Sequence, residues 1–200
     1  MNPITDDPLD VLLPGGDPWP ARHRVMRVDT LRSAMPGVKR WLTFGQSSGG
    51  YAALYASQRL ESSLAIAFSP QTHNDSALSS KMYFSKNMNK ACVVFDIADL
   101  RDVFSNSTRE SAAMIISSIN ERDNPVSSFV WLDHMHWARI SDFENVRIFI
   151  LDSENHAILW KRGTAFAGIL AGVAGLKEFG ADTVGAFLTE QLRELEERKD

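Results

Sequence analysis

Short apolar runs recur along the chain, and polar turn residues separate them. The pattern predicts strands at residues 40–44, 64–68 and 91–95, because each run is apolar and ends near a Gly, Pro or Asp turn signal. Two more strands are predicted at residues 128–132 and 146–151. Runs that are continuous rather than alternating are typical of strands buried on both faces of a parallel sheet.

Helical patterns lie between and after these runs. Apolar residues at three- and four-residue spacings predict a helix over residues 22–35. A second helix is predicted from about Ser107, which has the spacing of a capping box with Glu110. Residues 182–200 carry one apolar stripe among charges, which predicts an amphipathic C-terminal helix.

The alternation of strands and helices predicts an α/β fold: a mostly parallel sheet with helices on both faces. We expect one domain over residues 1–200. Residues 1–20 hold five of the eight prolines, so this stretch is predicted to be an irregular lead-in, with a short strand at 9–13.

A serine motif follows the first strong strand. Residues 45–49 (Gly-Gln-Ser-Ser-Gly) match the G-x-S-x-G pattern, and a helix-prone Ala-rich segment follows. In such a turn Ser47 would project its hydroxyl at the carboxyl end of a strand, and side chains at the glycine positions would collide with their neighbours. The Ser48 N–H would donate to an oxyanion. The alternative is a Gly/Ser-rich turn without chemistry.

A serine nucleophile needs a base, and the base needs an orienting acid after the serine in the chain. His156 follows the last predicted strand and precedes a helix, so we predict it as the base. His23 comes before the serine, and His73 leaves no room for an acid strand. His134 and His136 have a spacing that suits metal ligands on a strand, but no further ligand cluster accompanies them.

Several acids are candidates for the orienting group. Three of them follow the predicted strand at 91–95, namely Asp96, Asp99 and Asp102. Asp102 is preferred, because it lies just before a helix with room to fold back toward His156. Asp133, predicted at the tip of the strand at 128–132, is the alternative.

A family resemblance adds to this interpretation. Residues 45–54 (GQSSGGYAAL) and 67–71 (AFSPQ) resemble bacterial α/β-hydrolase-fold proteins, whose elbow is G-x-S-M-G-G-Y-A-A-L and which carry an F-S-P-Q turn. In that family the acid lies in a Y-D-P-x-x-x-x-D segment, with which residues 95–102 align without a gap. The family's closing H-x-V-x-x-x-L is similar to the segment that begins at residue 156. The resemblance spans roughly residues 38–170 and implies a triad of Ser47, Asp102 and His156.

The chain departs from the family pattern in two places. Ser48 stands where the family has Met, a position that contributes mainly its backbone N–H. Only 44 residues precede Gly45, whereas a full α/β-hydrolase sheet has several strands before the elbow. The second oxyanion donor of the family comes from a loop after an early strand, and here a backbone N–H of Gly16 or Asp17 is the candidate.

These observations predict a serine hydrolase for an ester or thioester that acts through an acyl-enzyme. No metal and no organic cofactor is needed, and the expected substrate is a small-molecule or glycan acyl ester. The alternatives are a glycan acyltransferase that uses the same triad, and a non-catalytic binding or scaffold protein with a hydrolase-like core.

Composition narrows the classes of partner. The single Cys92 excludes an intramolecular disulfide framework, and a net charge of −4 argues against binding to nucleic acid or to a membrane surface. The N-terminal residues lack the pattern of a secretory signal, so a cytoplasmic location is expected. A sheet edge left bare by the missing early strands would favour a homodimer.

Overall fold

The computed structural model describes residues 28–60, 63–73, 99–107, 111–118, 129–152, 156 and 158–197. The elements in chain order are α1 (Val28–Ala34), β1 (Trp41–Gln46), α2 (Ser48–Ser57), β2 (Ser63–Phe68), α3 (Leu100–Ser105), β3 (Ala112–Ser118), α4 (Phe129–Ala138), β4 (Val146–Leu151), α5 (Ile158–Lys161), α6 (Gly163–Ala174) and α7 (Ala181–Glu197). Backbone contacts group residues 38–72 and 100–200 into one compact unit, and residues 1–37 and 73–99 into another. All the strands above belong to the first unit, and α1 belongs to the second.

The sheet confirms the α/β class predicted from the sequence. Within the described residues it has four parallel strands in the order β1-β2-β3-β4. Strands that follow one another in both chain and sheet are normally joined by right-handed crossovers, which put the connecting helices on one face. Accordingly, α2 packs on β1 and β2, and α4 packs on β3. After β4 the chain continues into α6 and α7, and α7 packs on β3 and β4.

One face of the sheet carries the main hydrophobic core. Alternate residues of β2 and β3 point to this face, because side chains along a strand alternate between its two faces. They pack against apolar residues of α6 and α7, and Phe166 meets Phe68 edge to face with ring centroids 4.8 Å apart. The fully buried members of this core are Leu64, Ile66, Phe68, Met114, Ile116, Phe166, Val173, Val184 and Leu188.

The opposite face carries small side chains where α2 packs on it. Ala65, Ala67 and Ala113 are fully buried there, which lets α2 approach the sheet closely. The Thr43 hydroxyl donates to the Ala53 carbonyl of α2 at 2.9 Å. Both faces of β2 are therefore covered, which accounts for its continuous apolar run.

Several predicted elements are confirmed. The strands at 40–44, 64–68 and 146–151 correspond to β1, β2 and β4, and the C-terminal helix is α7. The apolar stripe of α7 is the side that packs into the core. The predicted strands at 9–13 and 91–95 lie outside the described residues.

The predicted helix after Ser107 is wrong in its main part, because β3 begins at Ala112. Ala and Met favour helices, but the run is flanked by serines and contains the β-branched pair Ile115 and Ile116. Every residue of β3 is buried between β2 and β4. Pairing on both sides outweighs the helical propensity of the first three residues, because tertiary contacts readily override such preferences.

The predicted strand at 128–132 is also wrong, because Phe129–Ala138 is the helix α4. Aromatic and β-branched residues gave this segment a strand-like composition over only a few positions. In a short apolar run, composition does not separate a strand from a buried helix. The helical spacing puts Asp133 and His136, three residues apart, on one side of α4.

Among the residues that the structure describes, no helix has both the length and the hydropathy needed to cross a bilayer.

Two phenylalanines offer a matched test of this core. Phe166→Ala should lower the free energy of unfolding by about 3–5 kcal/mol, because Phe166 is fully buried against Phe68. Phe44→Ala should cost about 1 kcal/mol or less, since Phe44 is 55% exposed on β1. Urea unfolding of the two variants and the wild type measures the difference. Equal losses in the two variants would contradict the assignment of the core to the α6–α7 face.

Candidate active site

The carboxyl ends of the parallel strands meet at one edge of the sheet, and β1 ends there in a strained turn. Gln46, the last residue of β1, lies level with Phe68, the last residue of β2. Ser47 follows with φ 56° and ψ −117°, a conformation that residues other than glycine rarely adopt. Strain of this kind costs about 1–3 kcal/mol and persists only where the surroundings enforce it.

The end of β2 and the segment after it enforce the Ser47 conformation. The Ser47 N–H donates to the Phe68 carbonyl at 2.9 Å, and the Ser47 carbonyl accepts from the Gln71 N–H at 3.2 Å. The same carbonyl accepts from the Tyr51 N–H at 3.1 Å, which closes the first turn of α2. The backbone of Ser47 is thus bonded on both sides.

Two glycines allow the chain segments around Ser47 to lie this close together. One is the first glycine of the motif, Gly45, and the other is Gly50, which follows the motif. A Cβ on Gly45 would lie 2.3 Å from the Gly49 carbonyl oxygen, and a Cβ on Gly50 would lie 3.0 Å from the Cβ of Pro70. A Cβ on Gly49 would meet nothing within 4 Å. The expectation that a side chain at either motif glycine would collide holds for Gly45 and is wrong for Gly49.

The hydroxyl of Ser47 lies at the N-terminus of α2. Within the described chain, this hydroxyl makes no capping bond to α2, although Ser47 occupies the cap position, where serine commonly makes one. Ser48 is the first residue of α2 and is exposed. Its N–H is one of the first-turn groups that have no acceptor inside the helix. Gly16 and Asp17, the predicted sources of a second donor, lie outside the described residues.

His156 lies in the segment after β4 and is held by a buried carboxylate. Its Nδ1 lies 2.8 Å from Oδ1 and 2.9 Å from Oδ2 of Asp133. The side chains of His156 and Asp133 are 13% and 3% exposed. An ionised carboxylate at these distances accepts the Nδ1 proton, which leaves Nε2 as the acceptor nitrogen of a neutral imidazole.

Burial dominates the electrostatics of Asp133. Loss of solvent around the carboxyl raises its pKa above the ordinary value of 3.8. Hydrogen bonding and charge attraction from His156, and the neighbouring Ser69 side chain, lower the pKa by less. The buried carboxylate is therefore costly to ionise, and His156 offsets part of this cost.

The structure puts Asp102 elsewhere. Asp102 lies in the first turn of α3 with an exposed side chain, and its carbonyl accepts from the Asn106 side chain. Of the predicted acids, the structure brings Asp133 to His156 and not Asp102. The reason is that residues 129–138 form a helix, which turns Asp133 inward. Asp99 immediately precedes α3, and Asp96 lies outside the described residues.

A closed ring of contacts joins these groups. Gln46, which precedes Ser47, donates from its side-chain amide to the His156 carbonyl at 3.2 Å. His156 contacts Asp133, and the buried Ser69 lies beside the same carboxylate. Ser69 is the residue after Phe68, whose carbonyl binds the Ser47 N–H. The ring brings the Ser47 turn, His156 and Asp133 into one cluster at the sheet edge.

The other histidines of α4 have different surroundings. His134 is exposed and packs against Trp137, with ring centroids 4.4 Å apart and the ring planes tilted by 34°. The Nδ1 of His136 accepts from the Thr72 N–H at 3.1 Å, and the His136 carbonyl accepts from the Thr72 hydroxyl. The two histidines therefore do not form the strand pair considered as metal ligands. In the part of the chain that the structure describes, no three His, Cys, Asp or Glu residues form a group that could hold a metal ion.

Sequence reasoning did not find Gln46 or Ser69 as parts of the site. Gln46 occupies a position that the G-x-S-x-G motif leaves unspecified, so the motif carries no signal for it. Ser69 has a positive φ of 40° without being glycine, and only the backbone geometry shows this.

Searches of protein-family models, curated protein sequences and solved structures find no match to the chain.

The elbow geometry predicts opposite effects for two glycine substitutions. Gly45→Ala should lower the free energy of unfolding by about 1–3 kcal/mol, because the new Cβ strikes backbone that has little room to move. Gly49→Ala should raise it by up to about 1 kcal/mol, because Ala favours the helix and the site is open. Chemical denaturation provides the comparison. A destabilised Gly49→Ala variant would contradict the open space around a Cβ at position 49.

The raised pKa of Asp133 predicts the sign of a pH effect on stability. A carboxyl whose pKa is raised by folding favours the folded state below the unfolded pKa, and this contribution is lost as the pH rises through the folded pKa. The stability of the wild type relative to Asp133→Asn should therefore fall as the pH rises from below 3.8. Denaturation curves of both proteins across this pH range measure the trend.

Asp142 is a control with the opposite sign. Its carboxylate accepts two bonds from Arg101, at 2.8 and 2.7 Å, and this partner lowers the pKa of Asp142. The wild type should therefore be more stable than Asp142→Asn at neutral pH, and this difference in stability should disappear as the pH falls below 3.8. Slopes of the same sign for both aspartates would contradict the burial of Asp133.

Proposed function

We propose that this protein is a serine hydrolase that cleaves an ester or thioester through an acyl-enzyme. Ser47 is the nucleophile, His156 the general base and acid, and Asp133 the orienting carboxylate. The observation that carries the proposal is the contact of both carboxylate oxygens of buried Asp133 with His156 Nδ1. The backbone of His156 is in turn hydrogen-bonded by the side chain of Gln46, the residue before the strained Ser47.

The proposed reaction begins with attack of Ser47 Oγ on the substrate carbonyl carbon, while the hydroxyl proton passes to His156 Nε2. The tetrahedral intermediate collapses as the bond to the leaving oxygen or sulfur breaks, and His156 returns the proton to that atom. Water then attacks the acyl carbon of acyl-Ser47 and gives its proton to His156. The bond to Ser47 Oγ breaks, Ser47 recovers the proton, and the acid product leaves.

Asp133 acts on this reaction through His156. Its carboxylate keeps the Nδ1 proton in place, so Nε2 carries the lone pair that the reaction needs. The positive imidazolium that forms during attack lies against a buried negative charge, where attraction is stronger than in water. Burial of Asp133 therefore serves the transition state, although it disfavours the ionised carboxyl in the resting protein.

The Ser48 N–H supplies one donor for the oxyanion in this proposal. It lies at the start of α2, where the helix dipole also favours negative charge. Removing one such donor typically costs about 10²–10³ in rate.

The order Ser47, Asp133, His156 along the chain is the order of α/β-hydrolases, and the elbow lies between a strand and a helix as in that fold. The parallel sheet of the described residues, in which each strand adjoins the next one along the chain, supports an α/β-hydrolase-like fold, for which we propose a reduced number of strands. The finer fold assignment is part of the proposal.

A fluorophosphonate probe tests the nucleophile directly, because it phosphonylates activated serines. The wild type should label stoichiometrically at Ser47, and Ser47→Ala should abolish labelling. Mass spectrometry of peptides from the folded protein identifies the site. A folded wild type that does not label would contradict the proposal and favour a non-catalytic binding protein.

A pair of aspartate variants tests the acid. Asp133→Asn should slow labelling and ester hydrolysis on the order of 10³–10⁴-fold, because the amide no longer enforces the required imidazole tautomer. Asp102→Asn should retain wild-type rates, since Asp102 is exposed on α3. Rate constants per folded protein measure both. The reverse pattern would restore Asp102 as the acid.

A further inference from the structure

We propose that Gln46 is a positioning residue for His156: its side-chain amide holds the His156 backbone against the end of β1 and thereby sets where the imidazole lies relative to Ser47. This inference rests on the proposed function, since it concerns the base of that site.

The amide of Gln46 bridges two backbone groups that lie far along the chain. Its Nε2 donates to the His156 carbonyl at 3.2 Å, and its Oε1 accepts from the Leu159 N–H at 3.1 Å. These partners lie 110 and 113 residues away, so the bridge is a tertiary contact. Both bonds are partly buried, which protects them from competition by water.

Only one orientation of the amide satisfies both partners. A flipped amide would face the His156 carbonyl with its oxygen and the Leu159 N–H with its NH₂ group. Two acceptors would then face each other at the His156 carbonyl, and two donors would face each other at the Leu159 N–H. The two contacts therefore fix the amide group, and the amide group fixes the distance between the two backbone groups.

The bridge spans the start of α5. The Leu159 N–H belongs to the first turn of α5 and has no acceptor within that helix. Gln46 supplies this acceptor and at the same time binds the carbonyl of His156, two residues before the helix. The His156 segment is thus tied to the residue that directly precedes Ser47.

Gln46 and Asp133 hold different parts of the histidine. Asp133 binds the imidazole through Nδ1 and fixes its rotation, whereas Gln46 binds the main chain and fixes its location. Proton transfer from Ser47 depends on both, because a displacement of about 1 Å in a catalytic group can cost on the order of 10² in rate.

Three variants separate this role from a general contribution to folding. Gln46→Leu removes both bonds, and Gln46→Glu keeps the acceptor for Leu159 but loses the donor to His156. Gln191→Leu is the matched control, because Gln191 is half-buried on α7 and outside the ring of contacts. If Gln46→Leu does not fold, Gln46→Glu carries the test, since it retains the bond that caps α5.

The first measurement is fluorophosphonate labelling of Ser47 per folded molecule, as a function of probe concentration and pH. Gln46→Leu should lower the maximal labelling rate by about 10- to 100-fold with little change in probe affinity. Gln46→Glu should lower it less, and Gln191→Leu should match the wild type. Wild-type maximal rates and an unchanged pH profile in both folded Gln46 variants would overturn the proposal.

The second measurement does not depend on activity. The proton between His156 Nδ1 and Asp133 should give a downfield resonance in the proton NMR spectrum, to be assigned by its loss in Asp133→Asn. This resonance should shift or broaden in Gln46→Leu and stay unchanged in Gln191→Leu. A wild type that fails to label would overturn the proposed function but would not test the role of Gln46. The resonance then tests that role: a resonance unchanged in Gln46→Leu would overturn it.

Discussion

The backbone of Ser47 keeps its strained conformation because the last residue of β2 binds its N–H and the segment after β2 binds its carbonyl group. This arrangement requires β1 and β2 to end level with each other and α2 to pack tightly on both strands. Small residues make that packing possible: alanines on the α2 face of the sheet, Gly45 near the end of β1 and Gly50 near the start of α2. The orientation of one hydroxyl thus depends on the alignment of two strands and on the thickness of the layer above them.

The second constraint is electrostatic. Asp133 is almost fully removed from solvent, which raises its pKa and disfavours its ionised form. His156 offsets part of this cost through its contact with both carboxylate oxygens, so the two side chains hold each other in position. A buried pair of this kind adds little net stability, because desolvation consumes most of the attraction. Its value in the proposed enzyme lies in fixing the tautomer and orientation of one imidazole.

Much of the fold and part of the candidate site could be predicted from local pattern. Buried parallel strands leave continuous apolar runs, and three such runs proved to be β1, β2 and β4. The G-x-S-x-G turn was visible from its motif, and the structure gives Gly45, but not Gly49, a steric reason for being glycine. Local pattern did not decide which aspartate contacts His156: Asp102 and Asp133 both lie between Ser47 and His156 in the chain. The choice depended on residues 129–138 forming a helix, and their short apolar run did not reveal that.

The sequence by itself determined the α/β class, the strand-turn-helix context of Ser47 and the place of His156 after the last strand, because each follows from residues close together in the chain. Only the tertiary structure decided that Asp133 holds His156, that β3 is a central strand, and that Gln46 ties the elbow to the His156 segment. These features depend on contacts across 23 residues for Asp133 and 110 for Gln46. Propensity and periodicity act over a few residues, whereas such contacts depend on how whole strands and helices pack.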